Sequence, residues 1–180
     1  MAPKQKIAVV GAGFAGLSTA MELVRRGFDV DVIADSRQKP ASELALGIVS
    51  LKGLYRARQP EFAYKISGFF CLIKQLRLLS QAFPGFCLYN RVYEPFFSKF
   101  DEEVATKRIY RFDDFLPPSV KNISQNQSDI NAFKWWGSSL YSYHWYQEDF
   151  LINTDKYLEI LGKYVTLHGG RTVDLSLIHI

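Results

Sequence analysis

The sequence has 180 residues, 48% of them hydrophobic and 22% charged, with a formal net charge of +4. That length suits one domain, or one domain and part of another, around a sizeable core. The mild basic excess favours anionic small molecules without demanding nucleic acid, and charges interrupt every later apolar stretch, which argues against a membrane-spanning helix.

The N-terminal "MAPKQKIAVV" contains too short an apolar run for a signal peptide. Ile7 to Val10 reads as a short strand of the kind buried on both faces of a parallel sheet. Gly11, Gly13 and Gly16 follow. The first permits a tight turn, the second lets backbone approach a pyrophosphate, and the third lets a helix pack closely on the strand. A helix is predicted from about Phe14 to Arg26, with Leu17, Ala20, Met21 and Val24 on one face and Leu23 beside them. Its N-terminus offers unpaired N–H groups and the positive end of the helix dipole. Arg25 and Arg26 lie near the opposite end, and Gly27 stops it. Val30, Val32 and Ile33 begin a second strand, and Asp35 follows within reach of a ribose. Together these features predict a dinucleotide-binding unit, without choosing between NAD and FAD. In an ideal strand Ala34 and Asp35 point to opposite faces, so Asp35 reaches a ribose only if the strand ends or curls there.

The next segment, "SRQKPASELALGIVSLKGLYRARQPEF", is a polar, basic, proline-broken loop leading to a short strand at Gly47–Leu51. Ser42, Ala45 and Gly47 are small enough for backbone to pass close to a phosphate or a ring. Arg37 and Lys39 are candidates to neutralise phosphate. A plain surface loop is the competing reading. A helix is predicted from Pro60 to Phe83 by Phe62, Ile66, Phe69, Ile73 and Leu76, widened by Phe70 and Leu72. This stripe suits core packing, with Lys65, Lys74 and Arg77 elsewhere and Pro84–Gly85 as the stop. Short strands and turns are expected from Gly85 to Val120, and an exposed polar loop over residues 122–131.

Residues 133–152 are dense in aromatics and read either as an antiparallel sheet packed by rings or as rings lining a substrate cavity. Thr154 or Asp155 is placed to cap a helix carrying Tyr157, Leu158 and Leu161. Gly169–Gly170 closes it, and Val173, Leu175 and Leu177 alternate in a half-buried strand. Cys71 and Cys87 have no metal or redox spacing and are expected to be buried free thiols in a reducing, cytoplasmic setting. His144, His168 and His179 form no metal cluster in the sequence, and no metal site is expected.

"VVGAGFAGLSTAMELVRRG" and "VIADSRQKPASELALGIV" resemble the FAD-dependent D-amino-acid oxidase superfamily, which includes glycine and sarcosine oxidases. Ala34–Asp35 is similar to the end of the second strand in the D-amino-acid and D-aspartate oxidases. "FLINTDKYLEIL" looks like the segment that re-enters the FAD domain. The resemblance implies an α/β fold: a Rossmann-like FAD-binding domain with a βαβ start, interrupted by part of an antiparallel-sheet substrate domain. Residues 1–55 would open the FAD domain, 56–150 would form the insertion, and 151–180 would return to it.

By the same resemblance Gly11, Ala12, Gly13, Phe14, Ala15 and Gly16 form the FAD fingerprint. Asp35 bonds the adenosine ribose, with Ser36 and Arg37 beside it. Ser42, Gly47 and Ile48 belong to the small-residue loop near the pyrophosphate and isoalloxazine. No histidine occurs between Ser36 and Leu51, so FAD is expected to bind non-covalently. Family members are much longer, and their substrate-carboxylate groups come from the C-terminal half. The chain therefore reads as a truncated N-terminal half, completed by the missing half or another chain. The implied reaction oxidises the C–N bond of an amino acid to an imino acid, with oxygen as acceptor and a small amino acid or amine as substrate. No nucleic-acid or membrane partner and no catalytic residue is assigned. The alternatives are another FAD enzyme, such as a secondary-amine oxidase or dehydrogenase, an RNA-modifying flavin domain or an NAD(P)H-dependent hydroxylase, and a non-catalytic nucleotide-binding fragment or subunit.

Overall fold

The structure, a computed structural model, describes residues 5–50, 59–89, 94–110, 142–144 and 150–175. The chain divides into two compact units. One comprises Met1–Gly47 and Ile152–Ile180, the other Ile48–Leu151.

The first unit is built on three parallel strands, β1 (Lys6–Val10), β2 (Asp29–Ala34) and β8 (Arg171–Asp174), in the order β1-β2-β8. The β1–β2 connection is helix α1 (Phe14–Arg25), and the strand β8 is preceded by helix α4 (Thr154–Leu167). Leu17, Ala20, Met21 and Val24 are the buried residues of α1, the face its periodicity predicted. Val30 and Val32 of the central strand are fully buried. β1 departs from the expectation of burial on both faces. It is the outer strand among those described, Ile7 and Val9 are half-buried, and Val10 is 80% exposed. Among the described residues, the face that meets α1 is the covered one: a Cβ added to Gly16 would lie 3.6 Å from a Val9 methyl.

Helix ends follow local chemistry. Gly27 and Gly169 adopt φ of +87° and +89° just beyond α1 and α4, which only glycine does without strain. At the start of α4 the cap is Asn153, whose side chain accepts a hydrogen bond from the Lys156 N–H at 3.0 Å. The expected caps, Thr154 and Asp155, are instead the first two helical residues. All three types cap well, and a run of them leaves the register open. Tyr157, Leu158 and Leu161 are buried as expected.

In the second unit β3 (Ile48–Val49) pairs antiparallel with β7 (Phe150–Ile152), and β4 (Cys87–Tyr89) completes that sheet on the other side of β7. β5 (Glu94–Phe96) pairs antiparallel with β6 (Ser142–His144). The long helix α2 (Gln59–Ala82) buries Ile66, Phe69, Ile73 and Leu76, and continues the stripe to Leu79. The side chain of Phe62, the loop at 122–131 and most of the aromatic run at 133–149 lie outside the described residues.

Two expectations are corrected here. The stretch from Gly85 to Val120 contains, beside its strands, a helix α3 (Lys99–Tyr110) that the sequence reading replaced with strands and turns. Its apolar residues form no continuous stripe, so periodicity is silent. The signal lies in the cap: the Ser98 hydroxyl accepts from the Asp101 N–H at 3.1 Å and donates to the Asp101 carboxylate at 2.7 Å. The cysteines are unbonded to each other, but Cys71 is exposed on α2 and Cys87 half-buried, where burial pushes its thiol pKa up. Cys71 falls outside the buried stripe of α2 defined by Ile66, Phe69 and Ile73.

Replacing Asn153 with Ala removes the α4 cap and is expected to cost about 1 kcal/mol, measured as a lower urea midpoint at constant slope. Gly16→Ala is expected to be harsher than Gly27→Ala. The new Cβ at Gly16 would stand 1.9 Å from the Gly11 carbonyl oxygen, whereas Gly27 has open space and only an unfavourable φ. Overpacking costs about 1–3 kcal/mol, and the left-handed position about 1 kcal/mol. Equal melting temperatures for the two variants would contradict this packing.

Candidate functional site

The first strand of the parallel sheet ends at a glycine turn, and helix α1 begins immediately after it. Gly11 takes φ +102°, a left-handed value, and its N–H donates to the Ile33 carbonyl at 2.8 Å. Gly16 sits against the Gly11 carbonyl, so the third glycine of the pattern permits close packing of helix on turn, as expected. Gly13 is the residue just before α1 and offers no side chain to cap it. The cap comes from far along the chain. Ser42 Oγ accepts the Phe14 N–H at 3.0 Å, across 28 residues. A Cβ at Gly13 would lie 3.0 Å from that same oxygen, tight enough to push the serine away. The second glycine therefore makes room for Ser42. The helix N-terminus is also less open than the sequence implies, because the Phe14 N–H already has a partner. Ala12 is half-buried and Ala15 exposed along the same turn.

Ser42 is positioned by a single 3-10 turn over Ala41–Leu44 that the sequence reading did not anticipate. Both ends of the following segment are anchored, one to the first residue of α4 and the other to the last residue of β7. Thr154 Oγ1 donates to the Glu43 carbonyl at 3.3 Å, and the Ile152 N–H donates to the Gly47 carbonyl at 2.9 Å. Gly47 has φ +68°, and a Cβ there would fall 2.0 Å from the Ile152 carbonyl oxygen. Gly47 is thus small because two backbones cross. Between the anchors Leu44 and Leu46 are 86% and 82% exposed. Ile48 begins β3 of the second unit, and Val49 is the buried member of that short strand. The expected strand at Gly47–Leu51 is reduced to these two residues among those described.

β2 ends at Ala34, and Asp35 lies just past it, which resolves the facing problem posed by an acid in that register. Its carboxylate is bound by its own neighbours. Oδ1 accepts from the Arg37 N–H at 3.0 Å and from Arg37 Nε at 2.9 Å. Oδ2 accepts from Arg37 Nη2 at 2.9 Å and from Gln38 Nε2 at 3.4 Å. The Arg37 side chain holds the Asp35 carboxyl below the usual carboxylate range, and the Arg37 N–H bond acts in the same direction. Asp174, opposite Ala34 in the β2–β8 register, brings a second carboxylate to this corner and accepts from the Ser36 N–H at 3.4 Å. Sequence reasoning missed Asp174 because its proximity depends on strand pairing across 138 positions.

Arg37 and Lys39, the candidate phosphate partners, are both paired locally. Arg37 takes Asp35, and Lys39 Nζ lies 3.2 Å from Glu43. Toward the start of the strands Asp31 bridges Lys6 at 3.0 Å and Arg171 at 2.9 Å, a separate network that ties β1 and β8 to β2. His168 stacks on Tyr164 at the end of α4, with ring centroids 3.9 Å apart. Among the described residues no group of His, Cys, Asp and Glu could hold a metal ion.

The family model described as FAD dependent oxidoreductase, DAO, matches residues 6–171. Iminodiacetate oxidase from a Chelativorans species has a similar structure, with a TM-score of 0.71 and 16% identity over 93% of this chain and 46% of its own. L-amino acid deaminase from Proteus vulgaris gives a TM-score of 0.75 at 17% identity, over 96% of this chain and 40% of its own. The zeta-carotene desaturase of Arabidopsis thaliana is 57% identical over 35 residues, 19% of this chain and 6% of that protein. At these identities the two structural likenesses are likenesses of fold, and the chain spans less than half the length of either structure. The family match itself takes in both segments of the nucleotide unit and the insertion between them, and this chain belongs to the FAD-dependent oxidoreductase (DAO) family.

Proposed function

We propose that the chain contributes the dinucleotide-binding part of a flavoenzyme that oxidises the C–N bond of an amino acid or amine. The observation that carries this reading is the convergence, at the C-terminal ends of β1 and β2, of the Gly11–Gly16 turn, the Ser42-capped start of α1 and Asp35, in a chain of an FAD-dependent family. The residues fit the cofactor. The turn carries no bulk where a phosphate would lie: nothing stands within 4 Å of a Cβ built at Gly11. Bound FAD would supply the electron-accepting chemistry, held non-covalently.

The backbone from Gly11 through Ala12, Gly13, Phe14, Ala15 and Gly16 would hold the pyrophosphate against the positive end of the α1 dipole. Ser42 accepts from Phe14 through its oxygen, which leaves its O–H to donate to a phosphate. Asp35 would accept the two ribose hydroxyls, with Ser36 and Arg37 at the same corner. Gly47, with Ile48 next in sequence, would pass close to the flavin ring. We read residues 1–55 and 151–180 as the FAD-binding parts and 56–150 as the substrate-side insertion. The substrate class is supported by the solved relatives that act on iminodiacetate and L-amino acids. Oxygen is our proposed acceptor. The groups that orient the substrate carboxylate would come from outside these 180 residues. No described helix is long and apolar enough to cross a membrane, and the two unbonded cysteines suit a reducing cytoplasm.

The test is purification of the complete gene product with FAD, followed by flavin absorbance and peroxide formation on a panel of D- and L-amino acids, glycine and secondary amines. Bound flavin with amino-acid-dependent peroxide is the expected result. Failure to hold flavin after FAD is supplied would sink the proposal. Peroxide formation only on secondary amines would shift the substrate, and a requirement for NAD(P)H would make the protein a hydroxylase. Asp35→Ala is expected to weaken FAD binding by about 2–3 kcal/mol, the loss of one or two charge-assisted hydrogen bonds, read by quenching of flavin fluorescence.

A further inference from the structure

Asp35 has a carboxylate with about four acceptor positions, and its own neighbours direct four donors at them. Two donors form a planar fork. Arg37 Nε reaches Oδ1 at 2.9 Å and Arg37 Nη2 reaches Oδ2 at 2.9 Å. A fork of two parallel N–H groups, one per oxygen, has the donor pattern of a ribose cis-diol, whose two O–H groups would also take one oxygen each. The two cannot occupy the carboxylate together. The Arg37 backbone N–H and Gln38 Nε2 take the remaining positions, so the diol finds no vacant alternative.

We propose that Arg37 is an internal competitor of the nucleotide: its guanidinium latches Asp35 and must swing away before the adenosine ribose can bind. This inference rests on the FAD reading above. The surroundings allow the movement. The Arg37 side chain is 72% exposed, whereas that of Asp35 is 13% exposed. The guanidinium can therefore leave into water while the carboxylate stays in place. Asp174 lies at the same corner, and its charge also attracts Arg37. The latch lowers affinity, and once it opens the carboxylate keeps the Arg37 N–H and Gln38 Nε2 donors.

An exposed ion pair of this kind is worth little, so the effect is modest but has a distinctive sign. Arg37→Ala keeps the backbone N–H donor and removes only the fork. FAD titrations on wild-type protein, Arg37→Ala and Arg37→Lys, followed by flavin fluorescence, are expected to give binding tighter by roughly two- to fivefold for Arg37→Ala. Arg37→Lys, a single point donor rather than a fork, is expected to fall between the two. In an Asp35→Ala background Arg37→Ala is expected to change nothing, because the latch has lost its target. Weaker or unchanged binding in the Arg37→Ala single variant, with wild-type protein binding FAD, overturns the latch and leaves the flavin reading standing. A gain that persists without Asp35 overturns it as well. No FAD binding by either protein overturns the flavin reading and the latch with it.

Discussion

The backbone crossing of Gly47 and Ile152 ties the beginning of the nucleotide unit to its end. A side chain at Gly47 would stand 2.0 Å from the Ile152 carbonyl oxygen, and the Gly47 carbonyl accepts the Ile152 N–H. The contact brings together positions separated by the whole insertion. Four residues before Gly47 the loop carries Glu43, to whose carbonyl Thr154, two residues beyond Ile152, donates. One residue earlier is Ser42, which caps α1. The hydroxyl reaches Phe14 only because the loop is anchored at this crossing and because Gly13 leaves room. The start of α1 thus depends on a chain segment that arrives well over a hundred residues later.

Phe14 shows the same dependence from another side. Its ring packs against Tyr157 of α4 at 5.5 Å between centroids, and Tyr157 is buried. The turn that opens the nucleotide unit is therefore supported by both helices of the first unit, one through backbone and one through a ring. Gly170, whose added Cβ would lie 2.5 Å from a Val165 methyl and 3.1 Å from a Val24 methyl, holds the start of β8 equally close to α1. These contacts explain why a chain with a long insertion returns to β2 in parallel register rather than forming a separate domain.

Legibility in the sequence followed the range of the interactions. Where one element decides its own form, the sequence is legible: the buried face of α1, the α2 stripe from Ile66 through Leu76, and the glycine stops. Where a short polar contact decides, the sequence reading missed or misplaced the feature. α3 rests on a Ser98–Asp101 cap with no apolar stripe, and the cap of α4 is Asn153, one residue before the predicted caps. Where chain-distant partners decide, no local pattern exists. The Ser42–Phe14 bond, the position of Asp174 beside Asp35, and the one-sided covering of β1 are all of this kind. The glycine pattern was legible in position and only partly in purpose: Gly16 packs as expected, whereas Gly13 makes space for a hydroxyl.

The charges around the turn sharpen what this site uses to attract an anion. The net charge of +4 suggests side-chain cations at the phosphate. Yet Arg37 is bound to Asp35, Lys39 to Glu43, and Arg25 to Glu22 at the far end of α1. Each pair nearly cancels at the distance of a Debye length. Among the described residues, the dipole of α1 and its N–H groups remain uncancelled at the glycine turn, one of them passed on through the Ser42 hydroxyl. Fixed backbone dipoles of this sort lose no side-chain entropy when a ligand arrives. In the FAD reading proposed above, recognition of the phosphate would depend on the shape of the backbone, and the discriminating side-chain charge would be concentrated at Asp35, where the hydroxyls of a ribose rather than its phosphates would be read.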